Sequence, residues 1–385
     1  MTTSFAFETT RSVLCEVGAS ARIGEIMAGR GCRAVAFVTD AMILKLGLAD
    51  AALAGLEAAG IDVWVFSDVV ADPPEAMIVG AIEEARRRGI DGVVSIGGGS
   101  SLDTAKLIAV LTPSDQSIAD VYGVGLVRGE RLPLLLAPTT AGTGSEVTPI
   151  SIVTTGTAEK KGVVAPQLLP DWALLDAELT VGLPAAVTAA TGIDAMVHAI
   201  EAYTSKLRKN VVSDCLAREA LRLLGGNIRA ACFDPGNRQA RSDMLLGSML
   251  AGMAFANAPV AAVHALAYPL GGHFHVPHGL SNALVLPQVL AFNMPEAAPL
   301  YAELGPIAFP ELAGEPETAR AEGLVEGFAA LARELGMKTR LSEVGVSHNN
   351  LPMLAEDAMK QTRLLVNNPR EMTYDAALDI YAAAL

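Results

Sequence analysis

Apolar positions in the first half of the chain come as short β-branched runs separated by helical patterns. RAVAFVTD (33–40) reads as a buried strand ending in an acid, LADAALAGLEAAG (48–60) as an Ala/Leu helix closed by glycine, and IDVWVFSD (61–68) as the next strand. A helix over 74–89, a strand over 91–99, a helix over 101–111 and a strand over 131–140 continue the alternation. Strands buried on both faces read as unbroken apolar runs, so this βαβα rhythm predicts a parallel sheet with helices on both sides.

The periodicity changes after LPDWALLDAELTVGLP. From Pro184, well suited to a first helical position, the pattern is helical over 184–204, 211–231 and 237–256, and again through much of 316–384, while strand-like runs nearly vanish. The predicted organisation is an α/β domain over residues 1–182 and an all-helical domain over 183–385. A length of 385 residues is enough for two cores.

Composition narrows the class. The chain is 51% hydrophobic with a mean hydropathy of +0.38, but alanine supplies much of this. No apolar run approaches the roughly 20 residues that span a bilayer, and MTTSFAFETTRSVLCEVG lacks the basic and apolar regions of a leader. Cys15, Cys32, Cys215 and Cys232 show no CxxC spacing, which points to a reducing cytoplasm. A net charge of −14 argues against nucleic acid and anionic membranes as partners.

Two loops that follow strands have the composition of nucleotide sites. Gly97, Gly98, Gly99 and Ser100 lead into a helix carrying Asp103 and Lys106; a tight strand-to-helix turn is the competing explanation. Thr139, Thr140, Ala141, Gly142, Thr143, Gly144, Ser145 and Glu146 form the second loop. Open α/β sheets bind nucleotides at such C-terminal strand ends. Asp40, ending an earlier strand, suits the ribose hydroxyls of NAD and would repel the extra phosphate of NADP; it suits equally a helix N-cap.

Four of the six histidines lie in AAVHALAYPLGGHFHVPHG (261–279), within a stretch from Asp243 to Glu296 that has no charged residue between its ends. Asp194 and His198, spaced i and i+4, project from one face of a helix and could be a buried hydrogen-bonded pair or metal ligands. Pro269, Gly271, Gly272 and Pro277 should break the later segment, so His264 and His278 are expected from different elements. Together, one carboxylate and three imidazoles suit a divalent ion such as Fe²⁺ or Zn²⁺. His273 and His275 read as supporting donors, a proton relay or loop residues, and His348 as part of a surface turn.

GGGSSLDTAK, APTTAGTGSEVT, GIDAMVHAIEAYTS and HALAYPLGGHFHVPHG, in that order, resemble the signature segments of the iron-containing (group III) alcohol dehydrogenase family, and the similarity extends over essentially the whole length. The resemblance implies the dehydroquinate synthase-like architecture: an α/β dinucleotide-binding domain followed by an all-α domain. It implies a metal held by Asp194, His198, His264 and His278, with Fe²⁺ favoured over Zn²⁺. It implies NAD, in preference to NADP, contacted by Asp40, Gly97–Ser100, Asp103, Thr139, Thr140, Thr143 and Lys160, with Lys161 the competing lysine. Many members carry a histidine where this chain has Tyr268, so the proton relay would fall to Tyr268, His273 or water.

The activity so implied is hydride transfer between NAD and a small neutral alcohol or aldehyde, the neutrality following from the uncharged segment. A homodimer or larger homo-oligomer is implied too, with an edge strand near FAFETT pairing across subunits. Rival readings are a metal-free maleylacetate-reductase-like enzyme and a dehydroquinate-synthase-like lyase. Both need cationic groups that residues 244–295 lack. A binding protein without chemistry is a third.

Overall fold

The computed structural model describes residues 4–156 and 159–385. Met1–Thr3, the start of the segment read for a leader, and Thr157–Ala158 lie outside the described residues. The chain divides into two compact units: Glu8–Val181, and Gly182–Leu385 together with the described residues Ser4–Phe7, which the sequence reading had put in the α/β domain.

In the first unit the strands are β1 (Ser12–Cys15), β2 (Ala34–Val38), β3 (Asp62–Phe66), β4 (Gly92–Gly97), β5 (Gly123–Val124), β6 (Leu134–Pro138), β7 (Ile150–Thr155), β8 (Glu159–Val164) and β9 (Trp172–Leu175). Six of them form one parallel sheet in the order β1-β9-β6-β4-β2-β3. Its helices are α1 (Ile23–Gly29), α2 (Ala41–Lys45), α3 (Asp50–Ala58), α4 (Glu75–Arg87) and α5 (Gly99–Leu111).

Residue alternation along the central strands explains their unbroken apolar runs. Ala36, Val38, Val93, Leu134 and Leu136 enter the core on one side of the sheet. Val35, Phe37, Val94, Ile96, Leu135 and Ala137 enter the core on the other. The chain leaves β2 outward to β3, whereas β4 is followed by β6 on the opposite side. The reversal between β2 and β4 is a topological switch point, where ligands bind in open α/β sheets.

One feature departs from the sequence reading. β7 and β8 form an antiparallel hairpin flanked by β5, a second small sheet that was not foreseen. Residues 4–10, which include FAFETT, form no strand within the chain; the nearby β1, paired with β9, is the sheet edge.

The second unit contains α6 (Ala185–Thr204), α7 (Val211–Phe233), α8 (Arg238–Asn257), α9 (Ala262–Phe274), α10 (His278–Ala308), α11 (Glu317–Glu334), α12 (Leu351–Met359), α13 (Thr362–Leu365) and α14 (Tyr374–Ala384). Almost every residue of α6 from Thr188 onward is buried, making it the centre of this unit. Gly279 at the start of α10 sits against it so closely that a Cβ would lie 2.3 Å from the Ala190 carbonyl oxygen. Among the described residues no single helix is long and apolar enough to cross a membrane.

The expected break in the histidine segment falls elsewhere than predicted. α9 continues through Pro269, Gly271 and Gly272 and ends only where His275 adopts a left-handed conformation, φ 53°. Burial of Leu266, Ala267 and Leu270 around Pro269 outweighs the missing backbone donor. His275 and Val276 then donate back to Gly271 O and Leu270 O, closing the helix.

Candidate active site

At the switch point, a cleft of about 510 Å³ is lined by Asp40, Ala41, Met42, Val69, Val70, Ala71, Gly98, Gly99, Ser100 and Ser101. Asp40 follows β2, Val69–Ala71 follow β3, and the glycines join β4 to α5. A Cβ on Gly98 would meet nothing within 4 Å, whereas one on Gly99 would lie 2.9 Å from Thr143 Cγ2. Gly99 thus lets the two loops touch, and Gly98 leaves the crevice open.

Asp40 caps α2: its Oδ1 accepts from Met42 N at 2.9 Å and Ile43 N at 3.0 Å. The cap role is therefore real, and Asp40 faces the cleft as well.

Both oxygens of Asp103, at the cofactor-side start of α5, are engaged inside the fold. Oδ1 accepts from Ser145 Oγ at 2.6 Å and lies 3.5 Å from Lys106 Nζ, while Oδ2 accepts from Ile152 N at 2.9 Å. Lys106 is fully buried and donates to Ser145 Oγ and Ile150 O, each at 2.7 Å. Burial holds its pKa below the ordinary lysine value, against the pull of Asp103 and Glu146. Asp103 and Lys106 pin the threonine-rich loop and β7 to α5.

Thr139 is buried and donates its backbone N–H to Gly97 O at 3.0 Å, joining the ends of β4 and β6. Thr143 Oγ1 accepts from Ser145 N at 3.2 Å. Lys160 and Lys161 point to opposite sides of β8. Lys160 pairs with Asp72 at 2.5 Å and donates to Thr154 at 2.8 Å; Asp72 directly follows the cleft-lining Val69–Ala71. Lys161 lies over the Tyr122 ring.

In the helical unit Asp194, His198 and His264 are buried, and each offers a donor atom within 4.8 Å of the others. His264 Nε2 lies 3.0 Å from His198 Nε2 and 3.7 Å from Asp194 Oδ1. His278 Nε2, on a half-exposed ring at the start of α10, is also 3.7 Å from Asp194 Oδ1. Donor atoms about 2.1 Å from a tetrahedral metal are separated by roughly 3.4 Å, so this spacing fits a divalent ion. His264 and His278 come from different helices, α9 and α10.

Burial raises the pKa of Asp194, but His198, His278 and His264 and the Asn282 amide outweigh it, keeping this carboxyl below the ordinary aspartate value. Burial works against protonation of His264, yet the carboxylates of Glu201 and Asp194 hold its pKa above that of a free imidazole.

Two residues of this cluster were missed. Glu201 Oε2 lies 2.6 Å from His264 Nδ1, and its Oε1 accepts from Val263 N at 2.7 Å. The signal was present: 194, 198 and 201 fall at i, i+4 and i+7 on one helical face. Asn282, one turn after His278, is fully buried and places Nδ2 2.5 Å from Asp194 Oδ1. No helical period marks it out from a core amide.

The remaining histidines separate from the cluster. His273 follows His264 by nine residues, about two and a half helical turns, so it leaves the opposite face of α9. Its Nε2 meets Asp357 Oδ2 at 2.5 Å. His275 is the exposed cap residue, and His348 lies in an exposed single turn, His348–Asn350. Tyr268 stays close, its ring centroid 5.9 Å from that of His278.

Known proteins are similar to this chain over both units. The family model described as iron-containing alcohol dehydrogenase matches residues 10–177, and the Fe-containing alcohol dehydrogenase family, C-terminal, matches residues 188–385. Long-chain-alcohol dehydrogenase 1 of Geobacillus thermodenitrificans is 41% identical over 361 residues, 92% of this chain and 90% of that protein. Sulfoacetaldehyde reductase of Bilophila wadsworthia is 35% identical over 388 residues, 99% of each. The crystal structure of a 1,3-propanediol oxidoreductase superposes with a TM-score of 0.96 at 33% identity, covering 99% of this chain and 100% of that one.

The protein is therefore an NAD(P)-linked oxidoreductase acting on the CH–OH group of alcohols and on the corresponding aldehydes. The chain belongs to the iron-containing alcohol dehydrogenase family.

Proposed function

We propose that Asp194, His198, His264 and His278 hold one divalent ion, Fe²⁺ in preference to Zn²⁺, and that the enzyme interconverts small neutral alcohols and aldehydes with NAD rather than NADP. The observation that carries this reading is the convergence of the buried Asp194, His198 and His264 donor atoms, with His278 Nε2 3.7 Å from Asp194 Oδ1. A bound ion supplies Lewis acidity toward an alcohol or carbonyl oxygen, and NAD supplies the hydride acceptor.

The chain's own residues do the rest. Asp194 contributes the negative charge of the ligand set. Phe255, stacked on His198 with ring centroids 4.3 Å apart, gives that ligand an apolar wall. Gly98–Ser101 at the start of α5 offer backbone N–H groups to a pyrophosphate, and Asp40 offers a carboxylate to ribose hydroxyls while opposing a 2′-phosphate. We assign Tyr268 to carry the alcohol proton toward solvent, since His273 is engaged by Asp357. The reference pKa of a phenol, near 10, suits a relay through the hydroxyl rather than a base.

The absence of Lys, Arg, Asp and Glu from residues 244–295 supports a neutral substrate. Cys32, Cys215 and Cys232 are free thiols, in keeping with a reducing cytoplasm, and the family resemblance supports a homodimer or larger homo-oligomer. Elemental analysis of His264→Ala tests the ligand set: folded protein that has lost its metal is expected, and unchanged metal content would remove His264 from it.

A further inference from the structure

We infer that Glu201 is a positioning residue for the metal centre: it fixes the tautomer and orientation of His264, so that Nε2 and not Nδ1 faces the other ligands. The inference rests on the metal reading of Asp194, His198 and His264.

Glu201 is buried on α6 and uses both carboxylate oxygens on two successive residues of α9. Oε1 accepts from Val263 N at 2.7 Å, and Oε2 meets His264 Nδ1 at 2.6 Å. An ionised carboxylate only accepts hydrogen bonds, so Nδ1 must carry the proton. The free lone pair of the ring then belongs to Nε2, the atom 3.0 Å from His198 Nε2 and 3.7 Å from Asp194 Oδ1.

The bond to Val263 makes the arrangement more specific. Val263 lies in the first turn of α9, where backbone N–H groups have no partner within the helix, and a carboxylate there also meets the positive end of the helix dipole. Glu201 therefore docks the start of α9 on α6 and sets the imidazole of the next residue in the same contact. Carboxylates bonded to the far nitrogen of a metal-binding histidine commonly govern metal affinity by 10- to 100-fold.

The isosteric change Glu201→Gln separates the two jobs. An amide can accept from Val263 N–H through its oxygen, but its NH₂ then faces Nδ1 and forces the proton onto Nε2, inside the ligand cluster. Turned the other way, the NH₂ opposes the Val263 N–H. Either orientation keeps the volume and spoils one donor–acceptor match.

Cobalt(II) titration of metal-free wild type and E201Q, against a competing chelator and with the visible ligand-field bands recorded, tests the inference. We expect one equivalent bound by wild type, a 10- to 100-fold weaker site in E201Q with altered bands, and metal-free melting temperatures within a few degrees of each other. Equal affinity and identical bands would overturn the role of Glu201 while leaving the metal reading intact. Wild type that takes up no cobalt would overturn both.

Should E201Q fail to fold, wild type labelled with ¹⁵N-histidine and loaded with Zn²⁺ decides the matter. A proton on His264 Nδ1 with metal-shifted Nε2 is expected, and metal on Nδ1 would overturn the inference.

Discussion

Asn282 places its amide nitrogen 2.5 Å from Asp194 Oδ1, in the middle of the donor cluster and within 3.3 Å of His264 Nε2 and 3.4 Å of His278 Nε2. Both side chains are buried, so this amide is a principal partner of a carboxylate that has left water. A hydrogen bond to a charged group contributes about 1.5–3 kcal/mol. We expect Asn282→Ala to lower the unfolding free energy of metal-free protein by that amount in a urea titration. Unchanged stability would mean that Asp194 does not depend on the amide.

The hydrogen bonds of His264 make metal-free and metal-loaded protein respond oppositely to pH. Its pKa is raised in the folded state above the reference 6.5, so the stabilisation from its proton is complete below that value and is lost as pH rises through the native one. Metal requires Nε2 without a proton, so the stabilisation it adds should grow over the same interval. Thermal melts across about pH 6 to 9, with and without Zn²⁺, should diverge as pH increases. Parallel curves would contradict the shift.

Gly279 sets the distance between α10 and α6, and therefore where His278 stands relative to Asp194. A Cβ there would lie 2.3 Å from Ala190 O, a contact with backbone that no rotamer change relieves. Gly279→Ala should lower the melting temperature and weaken metal binding together, read by calorimetry and metal titration. Wild-type metal affinity in this variant would show that His278 does not depend on the close approach.

Asp40 serves the α2 cap through Oδ1, and glycine at an N-cap costs only a few tenths of a kcal/mol. Asp40→Gly should therefore stay folded while raising the NADP-to-NAD ratio of kcat/KM by about tenfold, roughly 1.4 kcal/mol, or more. An unchanged ratio would leave Asp40 with the cap alone.

Much of this was legible in the chain because burial on both faces leaves a continuous apolar signature: 33–40, 91–99 and 131–140 each contain a central strand. The hairpin of β7 and β8 was not, since Glu159, Lys160 and Lys161 interrupt any apolar run and its pairing is set by the partner strand. Pro269 misled for a related reason, because a helix-breaking residue is tolerated where neighbouring side chains are packed, and packing is not written in local sequence. Asp194, His198 and Glu201 share a periodic face, yet Glu201 needed the start of α9 beside it to acquire a role. His273, read as a supporting donor or relay, leaves the continuous helix on the side opposite His264 and meets Asp357.

The most direct measurement is cofactor reduction by purified protein stripped of metal, then supplied with Fe²⁺ or Zn²⁺ and NAD⁺ and offered a panel of short neutral alcohols, with the aldehydes and NADH run in reverse. We expect NADH to form only when metal is restored, and His264→Ala to remain inactive under the same conditions. Full turnover by the metal-free protein, or none across the panel in either direction with metal bound, would contradict the account.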